Sequence, residues 1–281
     1  VESMTRAPFV MPKATTSFQR STEIYDTTLG WRFINKKLSD VYHPYSMGDT
    51  AENVAKQWNI GREEQDEFAL QSQQKYFAAK EANKWEDEIA AVEFNNNGLI
   101  NWFVNDEYPR ETSMEKLATL KPAFAKDGTV TAGNSSGIND GAAAMLLAGE
   151  EAVKKYGLVP MAKIISMAVS GVEPAIMGIG PVPATQKALK RAGLKINDID
   201  LIELNEAFAS QSIACIRDLG IDSSKVNVNG GAIAIGHPLG CSGVRISATL
   251  LHEMKRRKSQ YGLATMCVGV GQGAAVIYEN L

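Results

Sequence analysis

Residues 161–281 switch repeatedly between two hydrophobic periods, and no other feature of the chain limits its fold so tightly. Met161–Ser170 is an apolar run of strand type. Pro183–Gly193 carries the amphipathic Q-K-A-L-K-R-A, and Asp200–Leu204 is a strand leading into a helix from Glu206 to Leu219. Val226–Asn229 reads as a third strand and Gly240–Arg257 as a long helix, with Leu263–Cys267 and Ala274–Glu279 as closing strands. The order β-α-β-α-β-α-β-β predicts a layered α/β domain with a mixed sheet. Gly141–Leu147 and Glu150–Tyr156 add one more buried strand and helix ahead of it.

Residues 1–137 have a different texture. The spacing in Asp49-Thr50-Ala51-Glu52 predicts a capped helix over 50–59. A long charged helix over 62–85 puts Phe68, Ser72, Tyr76 and Ala79 on one face, between loops rich in Thr, Ser, Asn and Pro. This region reads as an insertion within an α/β scaffold.

With 281 residues, 44% of them hydrophobic, the chain can bury a sizeable core. A net charge of −3 without basic blocks leaves no footprint for nucleic acid or an anionic membrane. No apolar run reaches the roughly 18 residues of a membrane span. Cys215, Cys241 and Cys267 are odd in number, far apart and outside any C-x-x-C. That argues against a disulfide framework or a zinc site, and for reduced thiols in a cytoplasmic protein.

The chain has three histidines, and His237 lies in the glycine-dense run N-G-G-A-I-A-I-G-H-P-L-G-C-S-G, residues 229–243. Neither G-x-G-x-x-G nor G-x-x-x-x-G-K-[ST] fits there, which disfavours a dinucleotide or phosphate loop. L-N-E-A-F-A-S, residues 204–210, and C-V-G-V-G-Q-G, residues 267–273, sit at other strand ends. Strand ends on one side of an α/β layer converge, so an amide, an imidazole and a thiol can share a crevice. Taken singly, Asn205 reads equally as a helix cap and Cys267 as a small buried hydrophobe.

Together these three runs resemble the signature loops of the thiolases, which cleave or form 3-oxoacyl-CoA thioesters. T-A-E-N-V-A at 50–55 and T-V-T-A-G-N-S-S-G-I-N-D-G-A-A-A at 129–144 fit in order, so the resemblance covers the chain. It implies a layered α/β/α/β/α fold with mixed sheets and a loop domain inserted in the first half. On that basis residues 1–137 are the end of the N-terminal half plus the loop domain. Residues 138–160 are that half's last strand and helix, and residues 161–281 are the C-terminal half.

The resemblance also implies roles. His237 takes the proton of the nucleophilic thiol, for which an imidazole pKa near neutral is suited. Cys267 acts as acid and base at the α-carbon of acetyl-CoA, with its pKa expected to be modestly depressed. Asn205 holds a water that forms an oxyanion hole with the histidine, and the Gly269 N–H serves a second oxyanion hole. Arg110, Phe124, Ser136 and Phe208 are expected to bind CoA, Arg110 through a phosphate. CoA and acyl-CoA enter as substrates, with no permanently bound cofactor and no metal. A homo-oligomer, dimer or tetramer, is implied. Cys215 and Cys241 are read as structural, and His43 and His252 as surface residues.

Two departures matter. Val270 replaces the middle of three glycines common in the last motif; a valine resists positive φ, so a β-like residue or a differently shaped loop is expected. V-E-S-M-T-R-A-P-F resembles a segment downstream of the family's nucleophilic cysteine. That cysteine and the first strands are therefore expected ahead of Val1, the first half is incomplete, and this chain alone is expected to be inactive. E-I-Y-D-T-T-L-G-W-R-F, residues 23–33, and A-P-F at 7–9 resemble 3-oxoadipyl-CoA thiolases, with Arg32 as the candidate for the distal carboxylate. The alternatives are an acetoacetyl-CoA thiolase, a non-catalytic CoA-binding or assembly fragment, and a hydrolase pairing Cys267 with His237.

Overall fold

The computed structural model describes residues 1–281. Its first part contains the short strands β1 (Glu2–Ser3), β2 (Phe9–Val10) and β3 (Tyr25–Asp26) and the helices α1 (Lys36–Ser39), α2 (Met47–Gln57) and α3 (Arg62–Glu81). There follow the hairpin β4 (Val92–Asn96) and β5 (Leu99–Phe103), then α4 (Met114–Ala118), β6 (Asp140–Gly141) and α5 (Glu150–Tyr156). Helix α2 begins earlier than the spacing predicted. Ser46 is the N-cap, and Asp49 is its reciprocal partner one turn in. The hairpin, which the polar texture of the region concealed, turns through Asn97 and Gly98, both with positive φ.

The second part contains β7 (Ala162–Gly171), α6 (Pro181–Ala192), β8 (Leu201–Leu204), α7 (Ala209–Leu219), α8 (Ala232–Ile235), α9 (Leu239–Arg257), β9 (Tyr261–Val268) and β10 (Gln272–Asn280). The sheet order is β7-β10-β9-β8; β10 is antiparallel to both neighbours and β8 is parallel to β9. Period-two alternation separates its faces. Ile202, Leu204, Leu263 and Ile277 pack against Ala188 and Leu189 of α6 and Cys215 and Leu219 of α7. Leu201, Ala264 and Tyr278 pack on the other side against Ile246, Leu250 and Met254 of α9. Helices thus cover both faces of a mixed sheet.

Two expected strands are corrected. Val226–Asn229 shrinks to one parallel bridge between Val226 and Ile202. The chain turns away at Asn227, where φ is +44°, and the Asn227 carboxamide bonds the Leu204 N–H and carbonyl instead. Of Gly141–Leu147 only Gly141 is in a strand, paired with Glu2. Leu146 and Leu147 are exposed, because apolar composition makes a strand only where a neighbour completes the ladder.

Helices α2 and α3 join the second part through a shared apolar layer. Val54, Ile60 and Ala69 pack with Ala209, Ile213 and Ala214 of α7 and with Ile233 of α8. No helix is long and apolar enough to cross a membrane.

Candidate active site

Parallel pairing of β8 with β9 sends both strands toward the same edge, with Leu204 opposite Thr265. Asn205 is the first residue past β8, and its N–H donates to the Thr265 carbonyl at 3.0 Å. Cys267 lies two residues beyond Thr265, near the end of β9. The Cys267 thiol is 4% exposed, packed with Met177 and Ala207 and covered by Met47 and Phe208.

His237 reaches the same place from the turn between α8 and α9. Gly236 has φ +111°, and a Cβ there would meet the Asn139 carboxamide at 2.6 Å. That carboxamide accepts the His237 N–H at 3.2 Å, fixing the backbone. The Ser242 hydroxyl donates to the Pro238 carbonyl at 2.9 Å, so it accepts from the imidazole Nδ1–H at 2.6 Å. This pattern assigns the proton to Nδ1 and leaves Nε2 unprotonated; the Asn205 Nδ2 lies beside the ring, 3.3 Å from Nε2 and 3.5 Å from Nδ1. The Asn205 Oδ1 is buried without a hydrogen-bond partner, a cost proteins retain mainly at functional sites.

Burial first, and the positive charge of Arg245 second, push the His237 pKa down to about 4. The imidazole is therefore neutral near pH 7 and available as a base. Cys267 departs from expectation. Burial pushes its thiol up to about 12, so it stands as a protonated acid rather than a near-thiolate.

The loop after Cys267 completes the edge. No protein acceptor engages the Gly269 N–H. Val270 adopts φ +66°, so the valine does take the left-handed conformation, with its side chain 49% exposed. At Gly271 (φ +86°) a Cβ would collide with the Val172 carbonyl, whose own N–H donates to the Gly271 carbonyl at 2.8 Å.

The four residues considered for CoA differ in placement. Ser136 donates both its N–H and its hydroxyl to the Ala207 carbonyl at 3.0 Å. Its neighbour Ser135 bridges Phe208, and the Phe124 ring meets Phe208 edge-on at 6.2 Å. These contacts bring Ser135, Ser136 and Phe124 against the segment Ala207–Phe208, which follows Asn205 in the chain. Arg110 is exposed and lies farther out, bonded to the Ala132 carbonyl at 2.9 Å and stacked 5.1 Å above Tyr108. Its remaining guanidinium donors are free for an anion.

A cavity of about 380 Å³ is lined by Gly30, Trp31, Arg32, Ser46 and Met47, the last of which also packs against the Cys267 cluster. Met47 joins it to the centre: its sulfur lies 3.7 Å from where a Cβ on Gly269 would stand. Among the other candidates, Cys215 and Cys241 are buried free thiols and His43 is exposed. His252 is half-buried rather than on the surface, and that burial lowers its pKa.

Sequence reasoning missed Ser242, Asn139 and Met47. Ser242 is five residues past His237 inside the quoted glycine run, in the first turn of α9, which the His237 turn leads into. Asn139 and Met47 carry no such local signal.

Comparison with known proteins identifies the family. The thiolase N-terminal domain model matches residues 1–151 and the thiolase C-terminal domain model matches residues 158–280. A beta-ketoadipyl-CoA thiolase of Escherichia coli is 52% identical over 285 residues, covering 100% of this chain and 71% of that protein. The crystal structure of the Bacillus anthracis acetyl-CoA acetyltransferase superposes with a TM-score of 0.92 at 44% identity, over 100% of this chain and 70% of that one. Human mitochondrial 3-ketoacyl-CoA thiolase in complex with CoA gives 0.87 at 43%, over 100% and 69%. None of these supports a non-catalytic CoA-binding fragment. Two family models and half-identical relatives over the whole chain lead to one assignment: this chain belongs to the thiolase family.

Proposed function

We propose that the protein carries out CoA-dependent thiolytic cleavage of a 3-oxoacyl-CoA and the reverse condensation. The observation that carries this reading is a neutral, Nδ1-protonated His237 whose ring lies within 3.5 Å of the Asn205 carboxamide, with the protonated thiol of Cys267 near the end of β9. His237 Nε2 takes the proton of an attacking thiol, and the sulfur adds to the 3-oxo carbon. The bond between C2 and C3 then breaks, and its electron pair, held on the thioester enolate, takes the Cys267 proton to give acetyl-CoA. The acyl group, two carbons shorter, stays on the attacking sulfur as a thioester. A CoA thiol, giving its proton to the Cys267 thiolate, then displaces it as acyl-CoA while the freed sulfur recovers its proton from His237. The unengaged Gly269 N–H suits the enolate oxygen, where removing a comparable donor costs roughly 10²–10³ in rate. Ser136, Phe124 and Phe208 form the wall along which pantetheine runs, and Arg110 faces a CoA phosphate. CoA is a substrate on this reading, with no permanent cofactor.

The acyl group favoured is 3-oxoadipyl. The relatives named for it support this, and so does Arg32 as the only charged residue lining the cavity next to Met47. One Arg32 Nη bonds the Gly30 carbonyl at 2.7 Å, and its other donors remain for a distal carboxylate. Asp26 lies within range of its charge without forming an ion pair. A charge-assisted hydrogen bond is worth about 1.5–3 kcal/mol, so Arg32→Met should cut the preference for 3-oxoadipyl-CoA over acetoacetyl-CoA about 10- to 150-fold. Side-by-side kcat/KM values test both points. A wild-type preference for acetoacetyl-CoA removes the substrate reading, and an unchanged ratio removes Arg32.

Homo-oligomerisation and a reducing, cytoplasmic setting belong to the same proposal. Exposed Phe94, Trp102 and Phe103 on the β4–β5 hairpin support the first, and three free thiols the second.

A further inference from the structure

Next to the catalytic candidate Asn205 lies a buried carboxylate for which the reaction has no use. Glu206 is 2% exposed, yet three donors converge on it. Its Oε2 accepts from the Ser72 hydroxyl at 2.7 Å and from the Ile233 N–H at 3.1 Å, and its Oε1 from the Asn227 carboxamide at 2.8 Å. The Ser72 oxygen in turn accepts the Gly231 N–H at 3.0 Å. Gly231 has no room for a side chain, because a Cβ there would collide with the Glu206 carboxylate. A Cβ on Gly230 would meet the backbone carbonyl of Ser72 at 2.7 Å. The Lys75 ammonium, bonded to the Val226 carbonyl at 2.9 Å, supplies the nearby positive charge.

Each contact falls on the segment that delivers His237. Glu206 and Ser72 grip Gly231 and Ile233, α8 rises from that grip, and the imidazole follows directly after Gly236. Ser72 comes from α3, far away in sequence. Its neighbour Gln73 donates to the Ile233 carbonyl at 3.2 Å and accepts the Arg110 N–H at 3.1 Å. One turn of α3 therefore backs both the histidine loop and the arginine assigned to CoA.

We propose that Glu206 is a positioning residue that sets the His237 imidazole, acting through Ser72, Gly231 and Ile233. The inference rests on the thiolase reading of His237. An isosteric glutamine cannot replace the carboxylate. If its NH₂ faces Asn227, it meets a donor that cannot flip, because the Asn227 carboxamide is already fixed by the Leu204 N–H and carbonyl. If it points the other way, it meets the Ile233 N–H. A displacement of about 1 Å at a reacting group can cost about 10²-fold in rate.

The test is steady-state thiolysis by full-length wild-type protein, Glu206→Gln, His237→Ala and the double variant, together with ring ¹⁵N shifts of His237. Glu206→Gln is expected to lower kcat about 10- to 100-fold with both KM values within about twofold. It should move the His237 ring shifts and cost nothing further in the His237→Ala background. Wild-type kcat in folded Glu206→Gln overturns the proposal, and so does an equal loss in both backgrounds. Should Glu206→Gln fail to fold, Ser72→Ala, which removes the hydroxyl between Glu206 and Gly231, is read by the same criteria. A wild-type protein without thiolysis sinks the thiolase reading instead. The positioning role is then decided by the ring shifts alone.

Discussion

Replacing Ser242 with alanine removes one oxygen from the partner of the histidine, and its effect can be worked out beforehand. The Ser242 hydroxyl accepts the Nδ1–H at 2.6 Å and fixes which nitrogen carries the proton. In Ser242→Ala that N–H stays buried without an acceptor, at a cost of about 1–3 kcal/mol. The competing Nε2–H tautomer also becomes accessible, and it presents no lone pair to an attacking thiol. At about 1.4 kcal/mol per tenfold, kcat should fall about 5- to 150-fold. Binding should change little, because Ser242 is 1% exposed and lies behind the ring. The fold should also hold, since alanine favours the helix and the lost bond to the Pro238 carbonyl closes only a local turn. The assay is thiolysis at saturating substrates, paired with a thermal melt. An unchanged melting temperature together with kcat within about twofold of wild type would refute the tautomer argument.

Two further outcomes concern stability. Val270→Gly should raise it by about 1 kcal/mol: a β-branched residue at φ +66° carries about 1–3 kcal/mol of strain, and glycine returns about 0.5–1 in backbone entropy. A lower melting temperature for that variant contradicts the strain. The second outcome follows from His237, whose pKa falls from 6.5 in the unfolded chain to about 4 in the folded one. The unfolded state then binds the proton first, so this residue's share of stability is complete above pH 6.5. That share is lost as pH falls toward 4, and amounts to about 3 kcal/mol. Glu203, held above the carboxylate range by burial, acts in the opposite sense, losing stability as pH rises. Comparing urea midpoints of wild type and His237→Gln across this range isolates the histidine, and parallel curves would show that its pKa is not depressed.

The parts of the fold legible in the sequence are those whose cause is local. The continuous apolar runs in β8 and β9, with Ile202, Leu204 and Leu263 on one side and Leu201 and Ala264 on the other, report two buried faces. The Gly193 and Gly220 stops report helix ends. Gly141–Leu147 and Val226–Asn229 failed because an apolar run states a preference for burial, whereas a strand needs a paired neighbour that the run does not specify. The β4–β5 hairpin did carry a local signal in Asn97-Gly98, but its strands bury nothing, so no face pattern reinforced it.

The site divides along the same line. Asn205, His237 and Cys267 stand out because motif spacing puts each at a strand end or tight turn. The acidity of Cys267 was misjudged because a thiol's pKa depends on what covers it, and Met47 and Met177 arrive from distant segments. The grip on Gly231 was hidden for the same reason: Ser72 lies on a helix whose sequence reads as a charged surface element. Its buried side is in fact largely polar, with Gln65, Asp66, Ser72 and Gln73 all enclosed. Polar residues on the inward face of a helix weaken the amphipathic signal that prediction depends on. They are also the residues able to bond a neighbouring loop, so the features that hide α3 from a sequence reading are those that let it hold the histidine segment. A helix that backs a catalytic turn through hydrogen bonds will for this reason be underestimated by hydrophobic pattern alone.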